Sequence, residues 1–269
     1  MKTRTALPWF GSDASLSAEL ASYLDACDHV TIVQVGGAGI LQHIKAKGIV
    51  ANDLHRRAVD FYLVASGQLG GASQRELVDR CKRTLSHPAA IDAAVALREG
   101  ADIVDRAWSL WAECWIGRKG KGGTKSQGGK PSVRRRANGG NNATRIVSAA
   151  DDLQDWAAHF KRCEWTCEGF RECLDKVADD PTCGMYLDAP WVSAGKSYLH
   201  SYTEQDHRDQ ADCLRRFEQS PILVRYGDEA LIHELYPVSD GWHWHSVESR
   251  TQAGTAIPEV WISKRCEVE

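Results

Sequence analysis

The stretch Gly184-Met185-Tyr186-Leu187-Asp188-Ala189-Pro190-Trp191 decides the fold class of this chain. Residues 185–187 are apolar or aromatic, which predicts a short buried strand that ends at Asp188. Pro190 has no N–H to donate to a sheet, so the chain must leave the sheet there. Open α/β sheets bind ligands at the carboxyl ends of their strands, and the stretch presents an acid and a large aromatic ring at such an end.

Two interpretations of this strand end stay open at the level of the residues. In the first, Asp188 accepts hydrogen bonds from an amino group, and Trp191 stacks on the ring that carries the amine. In the second, Asp188 is a solvated residue at an ordinary strand end and Trp191 packs in the core. The rest of the chain favours the first interpretation.

Length and composition indicate a globular protein with one large domain, or one domain with an insertion. The 269 residues are 43% hydrophobic and 26% charged, which is ordinary for such a protein. No apolar run approaches the roughly 20 residues that span a bilayer, and no apolar segment of a secretory signal follows residues 1–5. We therefore expect a cytoplasmic protein with no membrane partner.

The nine cysteines show no framework spacing, which predicts reduced and mostly buried thiols. Several of them lie near one another and near a histidine, so a zinc site is a less favoured alternative. These residues contain no C-x-x-C pair, and we expect no metal; they are His159, Cys163, Cys167, Cys173 and Cys183.

Positive charge is concentrated in one segment, residues 117–145. It contains nine basic residues and no acid, so it carries +9, and the net charge of −3 leaves −12 on the remainder. A basic island on an acidic protein is typical of polyanion binding. The alternative is a solubilising disordered loop. The basic residues are Arg118, Lys119, Lys121, Lys125, Lys130, Arg134, Arg135, Arg136 and Arg145.

The N-terminal part predicts half of a nucleotide-binding α/β sheet. A β-branched strand at 29–35 is followed by Gly36-Gly37-Ala38-Gly39, a helix at 40–47 and a second strand at 49–51. Asp53 follows this second strand, where an acid can bind ribose hydroxyl groups. Alternatively, Asp53 is the N-cap of a helix that begins at Leu54.

The middle of the chain is predicted to be helical, and βα alternation resumes after it. Helices are expected at 54–66, 73–86, 88–98, 102–117 and 144–162, with Trp108, Trp111 and Trp115 in the core. Strands are then expected at 164–166, 184–188 and 222–226, with a terminal antiparallel pair at 243–248 and 259–263. Two α/β halves thus flank a helical, basic middle.

The ordered set of motifs resembles the Dam-type (class D12) DNA adenine-N6 methyltransferases over nearly the whole chain. In order they are Pro8-Trp9-Phe10-Gly11-Ser12, Val35-Gly36-Gly37-Ala38-Gly39 with Asn52-Asp53, Asp188-Ala189-Pro190-Trp191, Tyr198-Leu199-His200, Asp206-His207 and Arg225-Tyr226-Gly227-Asp228. The resemblance implies a Rossmann-like S-adenosylmethionine-dependent methyltransferase sheet with a helical, basic target-recognition insertion. Residues 1–62 and 163–269 would be its two halves, and residues 63–162 the insertion, with the basic loop at 117–145.

The resemblance also implies an enzyme, a site-specific adenine methyltransferase that flips its target base out of double-stranded DNA. Asp188, Ala189, Pro190 and Trp191 would form the catalytic motif, and Asp188 would also face the cofactor. Trp9, Gly11, Gly36, Gly37, Gly39 and Asp53 would bind S-adenosylmethionine, and Arg118, Lys119, Lys121, Lys125, Lys130, Arg134, Arg135 and Arg136 would contact DNA.

Three positions depart from the pattern of the family. Val33-Gln34-Val35 stands where the cofactor loop usually begins with Phe, often after Pro, and Asp13 stands where a Lys is common. Ala189 replaces the first of two prolines in the catalytic motif. Gln34 and Ala189 therefore favour an alternative, a catalytically impaired relative that binds DNA or cofactor without turnover. Another alternative is an enzyme that acts on RNA adenine or on the N4 amino group of cytosine.

Overall fold

The computed structural model describes residues 5–12, 15–117, 122–129, 141–193, 195–250 and 256–266. The chain forms two compact units that are interleaved in sequence. The first comprises residues 1–14, 36–41 and 55–167, and the second comprises residues 15–35, 42–54 and 168–269.

Six strands of the second unit form a mixed sheet. They are β1 (His29–Ile32), β2 (Gly48–Asn52), β4 (Cys183–Leu187), β5 (Ile222–Gly227), β6 (His243–Arg250) and β7 (Ala256–Lys264). Their order across the sheet is β2-β1-β4-β5-β7-β6. The first four are parallel, β7 is antiparallel to β5, and β6 is antiparallel to β7. Thus the expected central strand lies in the middle of the sheet.

Alternating side chains of these strands face two different layers. One layer is a core cluster that includes Met185 and Leu187 of β4 and Val224 of β5, and the other contains Tyr186 and Arg225. Gly184 lies against Cys27, because an added Cβ there would be 2.6 Å from the cysteine Sγ. The helices of this unit are α1 (Ser17–Ser22), α8 (Phe170–Leu174), α9 (Glu204–Arg215) and α10 (Ala230–Leu235).

The first unit is mainly helical. It contains α2 (Arg56–Ser66), α3 (Gly71–Arg83), α4 (Pro88–Ala96), α5 (Ile103–Ile116), α6 (Asn142–Asp151) and α7 (Leu153–Phe160), with the short strand β3 (Cys163–Thr166). Trp108, Trp111 and Trp115 of α5 are all buried, which confirms the prediction from their helical spacing. Their burial makes α5 the central helix of this unit, in contact with α2, α3, α4 and α6.

The structure corrects two predicted helices. The helix expected at 40–47 is only one 3₁₀ turn, Gly39–Gln42. The backbone N–H groups of Lys47 and Gly48 donate to the Asp28 carbonyl oxygen, at 2.8 and 3.1 Å, and so make no helical bonds. The helix expected at 144–162 is two helices, α6 and α7, which meet at Asp152.

The α/β class predicted from the sequence is confirmed, and the four parallel strands β2-β1-β4-β5 follow the order found in Rossmann sheets. In the described parts of the chain, every helix is too short or too polar to span a bilayer.

Candidate functional site

The carboxyl ends of β1, β2, β4 and β5 lie at one edge of the sheet because these strands are parallel. Strand β1 lies between β2 and β4. The chain therefore adds β2 on one side of β1 and later adds β4 on its other side, so the order of strands reverses between β1 and β4. Such a reversal opens a crevice that binds ligands in α/β proteins. Gln34, Asp53 and Asp188 follow β1, β2 and β4 respectively, and the sequence correctly predicted that acids follow the second of these strands and the third.

Asp188 is held by Arg225, to which the sequence analysis gave no role beyond its place in a family motif. The Arg225 Nη1 atom donates to Asp188 Oδ2 at 3.1 Å, and the Asp188 side chain keeps 28% of its surface exposed. Burial raises the pKa of Asp188 above its ordinary value, and the nearby Arg225 cation opposes that increase. The Tyr186 side chain is also a hydrogen-bond partner of Asp188. Asp188 is therefore a partly buried and oriented carboxyl group.

Arg225 is itself held by a buried acid. Its Nε and Nη2 atoms donate to the two carboxylate oxygens of Glu259, at 2.6 and 2.8 Å. The Trp261 indole N–H donates to Glu259 Oε1 at 2.7 Å. Arg225 and Glu259 are almost fully buried, so a paired geometry of this kind is needed to offset their desolvation. When Asp188 is ionised, the two carboxylates of Asp188 and Glu259 and the cation of Arg225 together carry a net charge of −1.

The other residues of the predicted catalytic motif have different environments. Ala189 is 1% exposed and belongs to the core cluster, where Trp191 packs as a partly buried side chain. The Arg225 guanidinium carbon lies 5.8 Å from the centre of the Trp191 ring. A Cβ added at Gly227 would approach the Trp191 ring to 2.9 Å. Trp191 therefore packs against the core and lies near Arg225, and the adjacent Pro190 is buried.

Gln34 begins a second network of polar side chains. Its Nε2 atom donates to the Tyr202 hydroxyl group at 2.8 Å. The Gln34 Nε2 atom is also 3.5 Å from Gln210 Oε1. The Nε2 atom of Gln210 in turn donates to the Tyr226 hydroxyl group at 3.0 Å. The Gln34 Oε1 atom is buried and has no hydrogen-bond partner among the residues that the structure describes. A buried acceptor of this kind is costly unless a ligand or water donates to it.

His207 lies at the end of this second network. Its Nδ1 atom is 3.0 Å from the Tyr226 hydroxyl oxygen, and its Nε2 atom is buried without a partner in the described chain. Burial lowers the pKa of His207 to about 4, although Asp206 and Glu204 oppose this shift. The imidazole is therefore neutral at physiological pH.

Trp9 and the glycine loop, both expected at the cofactor from the resemblance, lie close to each other in the first unit. An added Cβ at Gly36 would be 3.0 Å from the Trp9 ring, and one at Gly37 would be 2.7 Å from the Leu7 carbonyl oxygen. Gly36 has φ +52°, and its carbonyl oxygen accepts from the Tyr62 hydroxyl group at 2.5 Å. The absence of a side chain at Gly36 and Gly37 thus allows the loop backbone to lie close to Trp9 and Leu7. Gly39 is buried at the start of the 3₁₀ turn, and Gly11 is exposed with φ +81°.

Asp53 is 8% exposed and follows a firmly held residue. The Asn52 amide donates to the Val33 and Glu168 carbonyl oxygens, at 2.9 and 3.0 Å, and accepts from the Glu168 N–H at 2.9 Å. Helix α2 has His55 as its N-cap, whose Nδ1 accepts from the Ala58 N–H. Asp53 is therefore not the N-cap, which was one of the two alternatives for it.

Most of the predicted DNA contacts lie outside the described residues: Arg118, Lys119, Lys121, Lys130, Arg134, Arg135 and Arg136. Lys125 is described and exposed, and the Arg145 guanidinium carbon is 5.6 Å from the centre of the Trp115 ring. The nine cysteines are free thiols. No group of three His, Cys, Asp or Glu side chains in the described segments is arranged to hold a metal ion.

No protein-family model and no curated protein matches this chain. The assignment of function therefore depends on the residues and their geometry.

Sequence reasoning gave Arg225 only as part of a family motif, with no role, and it missed Glu259 and Gln210. A signal for a role of Arg225 was present, because it interrupts an otherwise apolar strand, Ile222–Gly227, whose residues are all buried. A charged residue in such a strand needs a buried partner. The partner comes from β7, where Arg225 is in register with Trp261, and the sequence does not specify that pairing.

Proposed function

We propose that the chain is an S-adenosylmethionine-dependent methyltransferase that methylates the N6 amino group of adenine in double-stranded DNA. The observation that supports this most is the environment of Asp188. Its carboxylate is at the carboxyl end of β4, beside the reversal of strand order, and its Oδ2 atom is fixed by Arg225.

The exocyclic nitrogen of adenine is a weak nucleophile because its lone pair is delocalised into the ring. Asp188 would accept one amino hydrogen, and the carbonyl oxygen of Ala189 would accept the other, which favours a pyramidal nitrogen. Positive charge develops on this nitrogen as the methyl group is transferred. A fixed anion in a partly buried site stabilises that charge more than water does, and this is usually the largest contribution to catalysis.

The target base is stacked inside the duplex and must be extruded before it can react. Trp191 would stack on the extruded ring, a contact worth about 1–3 kcal/mol. The basic segment at 117–145 would contact phosphates and orient the duplex, with an affinity that falls as salt increases.

Two residues fit S-adenosylmethionine, which supplies the electrophilic methyl group when bound. Gln34 Oε1 is a buried acceptor without a partner in the described chain, and it would accept a hydrogen bond from an amino group of the cofactor. Asp53 would accept from the ribose hydroxyl groups.

The experiment is transfer of a labelled methyl group from S-adenosylmethionine to duplex DNA, with the products identified by mass spectrometry. Asp188→Asn keeps the size of the side chain and removes its charge. We expect about a 10²–10³-fold loss of rate, as for removal of other preorganised electrostatic groups. The matched control is Glu218→Gln, which changes an exposed acid just before β5 and should keep the wild-type rate.

Other outcomes of this experiment would change the assignment. Equal rates for wild type and Asp188→Asn would refute the role of Asp188. Methyl groups on cytosine N4, or transfer to RNA only, would change the acceptor. Calorimetric binding of the cofactor without any transfer would instead support the impaired relative.

A further inference from the structure

The sheet places a buried arginine and a buried glutamate directly behind the proposed catalytic carboxylate. Arg225 is on β5 and Glu259 is on β7, and both side chains are at least 97% buried, since their exposed fractions are 3% and 1%. Isolated charges at this depth are strongly unfavourable. Such a costly arrangement calls for a role, and its geometry points to Asp188.

We infer that Arg225, held by Glu259, is a positioning residue that fixes the Asp188 carboxylate and keeps it ionised. This inference rests on the proposed function only for its consequence in catalysis. The fork of Arg225 is divided between the two acids. Its Nε and Nη2 atoms bind Glu259, and its Nη1 atom binds Asp188 Oδ2 at 3.1 Å.

The planar guanidinium group makes this arrangement directional. With Nε and Nη2 bound to Glu259, the plane of the guanidinium group is fixed, and so are the directions of the N–H groups on Nη1. Asp188 is therefore oriented by a donor that is itself held in place. A carboxylate has about four acceptor positions. The contacts from Arg225 and Tyr186 therefore leave positions free, and a substrate amine needs only one of them.

Glu259 weakens the electrostatic effect of Arg225 on Asp188. It opposes the field of Arg225 at Asp188, because a second anion nearby favours the protonated form of the first. If Arg225 were unpaired, it would neutralise Asp188 more completely. The net charge of −1 that remains is able to attract the positive charge that develops on an amine.

The other groups that act electrostatically with Asp188 are tyrosines. Tyr186 is on β4, Tyr226 is on β5, and Tyr198 is in the loop that follows β4. Burial raises the pKa of each of these tyrosines above its ordinary value. They are therefore neutral across the pH range in which a carboxylic acid titrates. Changes in that range come from the carboxyl groups, and the signal lost in Asp188→Asn identifies the part that belongs to Asp188.

The test is the titration of the Asp188 carboxyl carbon, followed by ¹³C NMR of protein labelled at aspartate and assigned by the loss of the signal in Asp188→Asn. Arg225→Met should raise the pKa of Asp188 by about one to three pH units, since an adjacent cation lowers a carboxyl pKa by that amount. Glu259→Gln should lower it. Arg225→Lys keeps the positive charge but loses the fork, so it should bring the pKa only part of the way back from its value in Arg225→Met.

Shifts in opposite directions are not expected from a general loss of structure. If Arg225→Met and Glu259→Gln leave the pKa of Asp188 unchanged, or move it in the same direction, the inference is wrong. If either variant does not fold, the wild type still decides the question. The ¹⁵N signals of the Arg225 guanidinium group should then titrate at the pKa of Asp188, and signals that do not move would refute the contact.

The same variants separate this inference from the proposed function. If methyl transfer occurs, the acidic limb of its pH–rate profile should move with the pKa of Asp188 measured by NMR. If the wild type transfers no methyl group, the proposed function fails, while the NMR titration still tests the role of Arg225.

Discussion

Stability at acidic pH should be limited by His207. Its imidazole is 1% exposed, and burial lowers its pKa from 6.5 to about 4. In the unfolded chain it takes up a proton near pH 6.5, but in the folded protein it does so only near pH 4. Between these values the unfolded state binds more protons, so the free energy of unfolding must fall as the pH is lowered.

The magnitude follows from the two pKa values. Linkage predicts that the free energy of unfolding falls by about 2.5 kcal/mol between pH 7.5 and pH 4.5. This is about half of the total for a protein at the low end of the usual range, about 5 kcal/mol. His207→Gln keeps a polar side chain and removes the titration. The variant should therefore lose about 2.5 kcal/mol less than the wild type over this range, because other acids titrate equally in both proteins.

The assay is urea unfolding at several pH values, followed by tryptophan fluorescence. His243→Gln, a change at an exposed histidine on β6, is the matched control and should keep the wild-type dependence on pH. If His207→Gln and wild type lose stability in parallel, the buried-imidazole explanation is wrong. NMR titration of the wild-type ring gives the same answer directly, since an imidazole that protonates near pH 6.5 would refute it.

Two further predictions concern the first unit. Glu113 is fully buried and binds Arg57 at 2.8 Å and Arg98 at 2.6 Å, so Glu113→Gln should leave two cations poorly compensated and lower the free energy of unfolding by about 3–5 kcal/mol; equal urea midpoints for this variant and wild type would contradict the prediction. Gly36→Ala places a Cβ 3.0 Å from Trp9 at φ +52°, and it should cost about 1–3 kcal/mol in thermal unfolding. Gly71→Ala, whose Cβ would meet only the end of a flexible arginine, is its control and should change little.

The order of the secondary structure elements was predictable because most of it depends on local patterns. β-Branched and apolar runs predicted β1, β4 and β5, and the spacing of tryptophans predicted that α5 is a core helix. Pro190 marked where the chain leaves the sheet after β4. The segment at 40–47 was not predictable in this way, because the bonds of Lys47 and Gly48 to the Asp28 carbonyl oxygen come from outside the segment.

In the candidate site, too, the positions of residues were predictable from local patterns, but their partners were not. Periodicity alone located Asp53 and Asp188 at the ends of strands, because a strand that is buried on both faces ends where polar residues begin. It could not give their partners. Arg225 meets Glu259 through the pairing of β5 with β7, and a sequence separation of 34 residues carries no information about which strands pair.

The sequence by itself determined which segments form strands, with bounds that differ by up to three residues, and it located the acids that follow β2 and β4. These features depend on hydrophobic patterning and on the geometry of proline and glycine. Only the tertiary structure decided that Asp188 is paired with an arginine, that Gln34 has a buried acceptor without a described partner, and that His207 is neutral. The physical reason is that the ionisation and hydrogen bonding of a side chain depend on burial and on neighbours from distant parts of the chain.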